Sequence, residues 1–176
     1  MYTFGEDIQI DLKRHMTNCA DYMRGFDCGD PVFNERLYED AANPDHVSYC
    51  FVDRNTQEVV CYASLASTVV SDRIGEPVPA VEIKAFAVNS KYQHMQYSRT
   101  MDKKTTLSVA FLFYMCGVVQ EICETHLGAR FLVVYSVPNA VNFYKKAFFD
   151  EMDEEMQVVH ALDNEGCKAL YKYIAD

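Results

Sequence analysis

The feature that most constrains this fold is the long, largely apolar segment from Leu107 to Leu127. A polar face develops only in its last turns, at Gln120 and Glu121, and Gly128 follows in the position of a helix C-cap. Its longest apolar run, Val109 to Val119, is too short to cross the hydrocarbon core of a bilayer. We therefore predict a buried helix in the core of a globular domain.

Segments rich in β-branched and aromatic residues precede and follow this helix, which predicts a sheet. The predicted strands cover 8–12, 47–53, 58–70, 81–88, 131–137, 156–160 and 168–174. The other predicted helices are a turn at 17–24, a helix of about three turns that begins at Pro31 with Asp30 as its N-cap, and a helix over 139–147. This element order predicts an α/β (α+β) fold in which helices pack on a mixed sheet.

The length and composition indicate one cytoplasmic domain that spans residues 1–176. The chain has 176 residues, 49% of them apolar, and its first residues lack the basic and apolar regions of a secretion signal. Seven scattered cysteines form neither a CxxC pair nor a zinc-ligand spacing, so we expect free, buried thiols and no metal. The net charge of −10 makes a nucleic-acid partner unlikely and favours cationic acceptors such as amines.

Three segments in this order resemble the Gcn5-related N-acetyltransferase (GNAT) superfamily. Ala80–Gln93 is similar to the fourth strand of the family and its exit. Gly128–Tyr135 resembles the end of the long helix and the fifth strand, and Asn139–Phe149 resembles the fourth helix with its FYxKxGF motif. The resemblance implies a largely antiparallel central sheet of about six to seven strands, flanked by about four helices.

A fourth segment, Phe26–Leu37, resembles the FxCGxxxLNxxL opening of the acetyltransferases that act as toxins in toxin–antitoxin pairs. In that subgroup the acceptor is the α-amine of an aminoacyl-tRNA. The opening also occurs in relatives that are not toxins, and the toxins tend to carry a basic surface, whereas this chain is acidic.

The resemblance implies a catalytic pair for acetyl transfer. Tyr144 matches the family tyrosine that protonates the thiolate leaving group, and the alternative is a purely structural place on the apolar face of its helix. Glu82 matches the general base of the histone-directed branch. The alternative is an exposed strand carboxylate paired with Lys84, and in many relatives the base is an ordered water.

The resemblance also implies an acetyl-CoA site. Backbone groups of Phe86, Ala87 and Val88 would hold the pantetheine arm, where the family splays its fourth and fifth strands apart, and the Val88 amide is a candidate oxyanion donor. Asn139 belongs to the matching helix and is a further candidate contact.

The expected pyrophosphate loop, Q/R-x-x-G-x-G/A, lacks its glycines in this chain. Glycines in such a loop let backbone N–H groups wrap the phosphates at a helix N-terminus. The stretch after Gln93 is about ten residues longer than usual for the family, so two registers stay open. The candidate phosphate contacts in these registers are Gln96, Tyr97, Ser98 and Arg99, or Lys103, Lys104, Thr105, Thr106 and Ser108.

These observations predict an acetyl-CoA-dependent N-acetyltransferase that acts on an amine-bearing small molecule or protein. No cysteine sits in a nucleophile setting, so the transfer is expected to be direct, in a ternary complex. The alternatives are a non-catalytic binding protein with a degenerate loop and a toxin that acetylates aminoacyl-tRNA. No membrane partner is expected, and a homodimer is a candidate assembly.

Overall fold

The computed structural model describes residues 2–4, 8–14, 23–72, 74–97, 105–153, 156 and 166–174. The helices are α1 (Pro31–Ala42), α2 (Leu107–Ile122) and α3 (Val141–Lys145). The strands are β1 (Tyr2–Phe4), β2 (Ile8–Arg14), β3 (Val47–Asp53), β4 (Val59–Ser71), β5 (Pro77–Val88), β6 (Phe131–Ser136), β7 (Asp150–Glu151) and β8 (Lys168–Tyr173).

The strands are hydrogen-bonded in the order β1-β2-β3-β4-β5-β6-β8-β7. β5 and β6 pair in parallel, and β6 pairs with β8 in the antiparallel sense. The remaining described ladders, from β1 to β4 and between β7 and β8, are also antiparallel. This confirms the predicted mixed, largely antiparallel sheet.

Two strands were not predicted, because they are too short to show an alternating pattern. β1 has three residues and β7 has two. Asp150 and Glu151 are exposed, and their backbone pairs with β8. The predicted strand at 156–160 lies outside the described residues except for Met156.

The described residues contain three α-helices, one fewer than predicted. Most of the predicted helical turn at 17–24 lies outside them. Asp30 caps α1 as predicted, since its Oδ1 accepts a hydrogen bond from the amide of Val32 at 2.9 Å. Gly128 closes the helical segment with a φ of 61°, a left-handed conformation that glycine adopts without steric cost.

The segment Leu107–Leu127 comprises α2 and a π-helical turn, Cys123–Leu127. By length and composition it could cross a membrane, although 56% of its most apolar window is buried within the protein. Several of its apolar side chains are fully buried, namely Phe111, Leu112, Met115 and Val119. These side chains pack in the core of the protein.

The chain divides into two compact units, the first formed by residues 1–65 and 85–111. In this unit Tyr62 is fully buried and donates a hydrogen bond to the carbonyl of Phe33 in α1 at 2.9 Å. Leu37 of α1 is also fully buried. Full burial of a leucine side chain stabilises a fold by about 1.5–3 kcal/mol. The core of this unit comprises Met23, Leu37, Cys50, Val52, Val59, Tyr62, Ala85 and Ala87.

The second unit is formed by residues 66–84 and 112–176. Its sheet buries Val70, Val78, Ala80 and Val133 on one face, and four half-buried side chains pack against them: Phe131, Tyr135, Met152 and Tyr171. The pairing of Ala80 with Phe131 and of Glu82 with Val133 places these side chains on the same face as Tyr135.

All six cysteines in the described residues are free thiols, and Cys50, Cys61, Cys116 and Cys123 are buried. Burial raises the pKa of Cys61 well above its usual range, and it raises the pKa of Cys116 to about 11. The thiols of Cys61 and Cys116 are therefore protonated at neutral pH and are poor nucleophiles.

Candidate functional site

In the first unit, the segment Phe26–Leu37 folds into a small hydrogen-bonded cluster that begins α1. Asn34 accepts a bond from the amide of Cys28 at 2.9 Å and donates to Asp27 Oδ1 at 3.0 Å. Asp27 Oδ1 also accepts from the amide of Gly29 at 2.8 Å, and Gly29 has a φ of 83°. The hydrogen bonds and the turn of this segment therefore account for Asn34, Asp27 and Gly29.

Gln93 ties this cluster to the end of β5 and to the start of α2. Its Nε2 donates to the carbonyls of Cys28 and Val88, each at 2.8 Å. The backbone carbonyl of Gln93 accepts a hydrogen bond from Ser108 Oγ at 3.0 Å. Gln93 therefore connects three segments of the first unit, two of them through its side chain and the start of α2 through its backbone carbonyl.

β5 continues to Val88, whereas its described ladder with β6 ends at the pairing of Ile83 with Val134. The last residues of β5 are predicted pantetheine contacts. Ala87 and Val88 are buried and Phe86 is half-buried. The expected splay of these strands and their contacts with the pantetheine arm stay predictions.

The segment before α2 contains a short antiparallel bridge. Gln96 and Thr106 form an antiparallel bridge, and the amide of Tyr97 donates to the carbonyl of Thr105 at 3.1 Å. The intervening candidates Ser98, Arg99, Lys103 and Lys104 lie outside the described residues. α2 begins directly after the bridge, at Leu107, so Thr106 and its partner Gln96 both lie next to the helix N-terminus, and both loop registers stay predictions.

Glu82, in the second unit, is buried with 8% exposure, so the expectation of an exposed strand carboxylate is wrong. Its pairing with Lys84 is confirmed, since Lys84 Nζ lies 3.0 Å from Glu82 Oε1. The alternating pattern of β5 could not reveal this burial, because burial depends on residues far apart in the chain.

Sequence reasoning missed Tyr135, which lies on the same sheet face as Glu82. Its hydroxyl is buried and has no hydrogen-bond partner within the described part of the chain. Burial, and then the negative charge of Glu82, raise the pKa of Tyr135 to about 12. The only sequence signal was its alternation with Phe131 and Val133 along β6.

Tyr144 lies in α3 of the second unit and is buried, with 7% exposure. Its ring packs edge-on against Phe143 and Phe149, with centroid distances of 5.2 and 5.6 Å. Asn139 is exposed in the 3-10 turn that precedes α3. The second unit thus holds Tyr144, Glu82 and Asn139, whereas the first holds Phe86, Ala87, Val88, Gln96, Tyr97 and Thr105.

Phe148 occupies the glycine position of the FYxKxGF motif and has a φ of 63°. This left-handed conformation costs a non-glycine residue about 1–2 kcal/mol. Its ring is 71% exposed, lies 5.6 Å from Phe113, and has Lys172 Nζ 5.5 Å from its centroid. Lys172 is anchored by a hydrogen bond to the carbonyl of Ala147 at 2.8 Å.

The variants Phe148→Gly and Phe148→Ala should separate backbone strain from ring contacts. Both lose the ring, but only the glycine relieves the strain. We expect Phe148→Gly to be more stable than Phe148→Ala by about 1 kcal/mol in urea unfolding. Equal stability, or a more stable alanine variant, would show that the φ of 63° carries no strain.

No protein-family model and no curated protein sequence matches the chain. Solved structures do match over nearly its whole length. A bacterial toxin has a TM-score of 0.72 and 15% identity, over 95% of this chain and 92% of that one. GCN5 from Tetrahymena has a TM-score of 0.58 and 17% identity, over 96% of this chain and 97% of that one. The chain has the Gcn5-related N-acetyltransferase fold.

A third match to the GNAT fold is a tyrosine-to-phenylalanine mutant of the toxin AtaT, bound to the C-terminus of the antitoxin AtaR and to acetyl-CoA. It has a TM-score of 0.68 and 20% identity, over 94% of this chain and 93% of that one. Identities this low establish the fold alone. Within it, β5, β6 and α3 occupy the segments that resemble the fourth strand, the fifth strand and the fourth helix of the family.

Proposed function

We propose that this chain is a cytoplasmic, acetyl-CoA-dependent N-acetyltransferase that acts on an amine. The observation that carries the proposal is a buried tyrosine, Tyr144, in the helix of a GNAT fold where the family keeps its acid. Neighbours of this fold include GCN5 and an AtaT structure with acetyl-CoA bound. The net charge of −10 favours the approach of a cationic amine.

The proposed chemistry uses two side chains of the second unit. Acetyl-CoA supplies a thioester, whose carbonyl carbon the neutral amine attacks. Glu82, directly or through a water, accepts the proton that the amine loses as the new C–N bond forms. Tyr144 gives its phenolic proton to the sulfur as the C–S bond breaks, because a phenol is protonated at neutral pH. Lys84, whose Nζ lies 3.0 Å from Glu82 Oε1, orients the carboxylate.

Coenzyme binding depends on the start of α2, where the family has glycines and this chain has Thr105 and Thr106. The N-terminus of a helix favours phosphate through its dipole and its unpaired N–H groups. In our proposal the threonine hydroxyls and the preceding lysines replace part of the missing backbone wrap. The main alternative is a GNAT-fold protein that binds a partner without catalysis.

Isothermal titration of acetyl-CoA and free coenzyme A into the purified protein tests this proposal. We expect dissociation constants in the micromolar range. Replacing Lys103 and Lys104 together by alanine should weaken binding about tenfold or more, since each charge-assisted contact contributes about 1.5–3 kcal/mol. A well-folded protein without detectable binding would favour the non-catalytic alternative.

A toxin role is a second candidate, which the similarity to toxin structures favours. Local folding accounts for the asparagine, the aspartate and the glycine of the toxin-like opening, so that motif does not specify an acceptor. An acidic chain also lacks the overall field that attracts tRNA. Growth arrest upon expression, abolished by Tyr144→Phe, would support the toxin role, and normal growth would argue against it.

A further inference from the structure

The second unit contains a cavity of about 410 Å³ that the proposed acetyl transfer does not use. Its volume is within the usual range of small-molecule sites. It is lined by Asp72, Ile74, Phe131, Met156, Tyr171 and Tyr173.

Strand register brings the three aromatic rings of this cavity together. Phe131 of β6 is directly opposite Tyr173 of β8, and Tyr171 lies two residues earlier on the same face. The rings of Tyr171 and Tyr173 meet the ring of Phe131 edge to face, with centroid distances of 5.9 and 5.4 Å. Tyr173 is 53% exposed, so solvent reaches this aromatic wall.

The charged group in the cavity wall is a fixed carboxylate. Asp72 Oδ1 accepts hydrogen bonds from the amides of Ile74 and Glu76, at 3.0 and 2.9 Å, within the turn between β4 and β5. None of the ion pairs between described residues involves Asp72, and none of the described lining residues is basic. The described part of the cavity wall therefore combines aromatic rings with a carboxylate.

We propose that this cavity binds a quaternary ammonium group. The faces of aromatic rings are negative, and several rings around a methylated cation attract it without requiring hydrogen bonds. An anion would be repelled by Asp72. A primary ammonium group would lose strong hydration upon entering an aromatic site, whereas a trimethylammonium group is bulky and weakly hydrated.

The experiment titrates choline into the full chain, with its neutral isostere dimethylbutanol as comparison. Both ligands present the same shape and apolar surface, but only choline is charged. We expect choline to bind in the millimolar range or tighter, and at least threefold more tightly than dimethylbutanol. Equal affinity of the two ligands would overturn the proposal. So would the absence of choline binding at a choline concentration about 50-fold above the expected dissociation constant.

Two variants identify the site. Tyr173→Leu keeps an apolar side chain but removes a ring, and Asp72→Asn removes the charge; each should weaken choline binding about two- to fivefold. Tyr38→Leu is the matched control, because Tyr38 is 49% exposed on α1 and is not in the cavity wall. If Tyr173→Leu retains the wild-type thermal unfolding profile and full choline affinity, the proposal is wrong. Since no acetyl-CoA is present, this result is independent of the proposed function.

Discussion

Replacing Tyr144 by phenylalanine is expected to slow acetyl transfer by about 10²- to 10⁴-fold, the usual contribution of a general acid. Without the phenolic proton, the sulfur of coenzyme A must leave as an unprotonated thiolate. The affinity for acetyl-CoA should change by no more than a few-fold, because the ring is retained. Single-turnover transfer to the best acceptor from an amine panel measures the first effect, and titration of acetyl-CoA measures the second.

The packing of Tyr144 makes this variant suitable for a mechanistic test. The ring contacts with Phe143 and Phe149 persist in Tyr144→Phe, so the thermal midpoint should stay close to that of the wild type. Tyr38→Phe provides the control, since it removes a phenolic hydroxyl from a half-exposed side chain of α1. If Tyr144→Phe transfers acetyl groups at the wild-type rate, Tyr144 is a structural residue and another group is the acid.

The sequence predicted the elements whose signals are local. Asp30 and Pro31 define the start of α1, and Gly128 ends the helical segment, because capping depends on residues next to each other in the chain. The three GNAT-like segments predicted the largely antiparallel mixed sheet, because they appear in the family order. β7 escaped prediction because two residues carry no periodicity and only their pairing with β8 defines them as a strand.

The candidate site was harder to predict, because burial depends on residues far apart in the chain. Glu82 and Lys84 share a half-polar strand face that is equally compatible with solvent or with a cleft. The structure shows that Glu82 is buried, and the pairing of β5 with β6 places it on the same face as Tyr135. Likewise, without glycines nothing in the sequence fixed the loop register, and nothing in the sequence indicated that Gln96 pairs with Thr106.

Gln93 was predicted only as the first residue of the phosphate loop, yet its side chain connects the end of β5 to the Phe26–Leu37 segment of the first unit. Replacing it by glutamate is expected to destabilise the protein by about 2–4 kcal/mol at neutral pH. Two hydrogen bonds are lost, and a carboxylate is placed against two carbonyl oxygens that had accepted bonds at 2.8 Å. Urea unfolding at pH 7 measures this loss.

The pH dependence distinguishes this mechanism from a simple loss of packing. Partial burial beside two acceptors raises the pKa of the introduced carboxyl in the folded state above its unfolded value. Its protonated form then donates one bond, so the stability of Gln93→Glu relative to wild type should improve as pH falls through this raised pKa. Gln93→Met loses the same bonds without adding a titrating group, so its deficit should not change with pH.

Gln57 offers the matched control, because its exposed Nε2 also donates to a carbonyl, that of Arg54, at 2.8 Å. Gln57→Glu should cost less than about 1 kcal/mol, since water can solvate both groups. If Gln93→Glu costs no more than Gln57→Glu, the bonds to Cys28 and Val88 do not hold these segments together. If the larger cost is observed, acetyl-CoA affinity should fall in Gln93→Met as well, because the side chain of Gln93 positions the end of β5, where the pantetheine contacts are proposed.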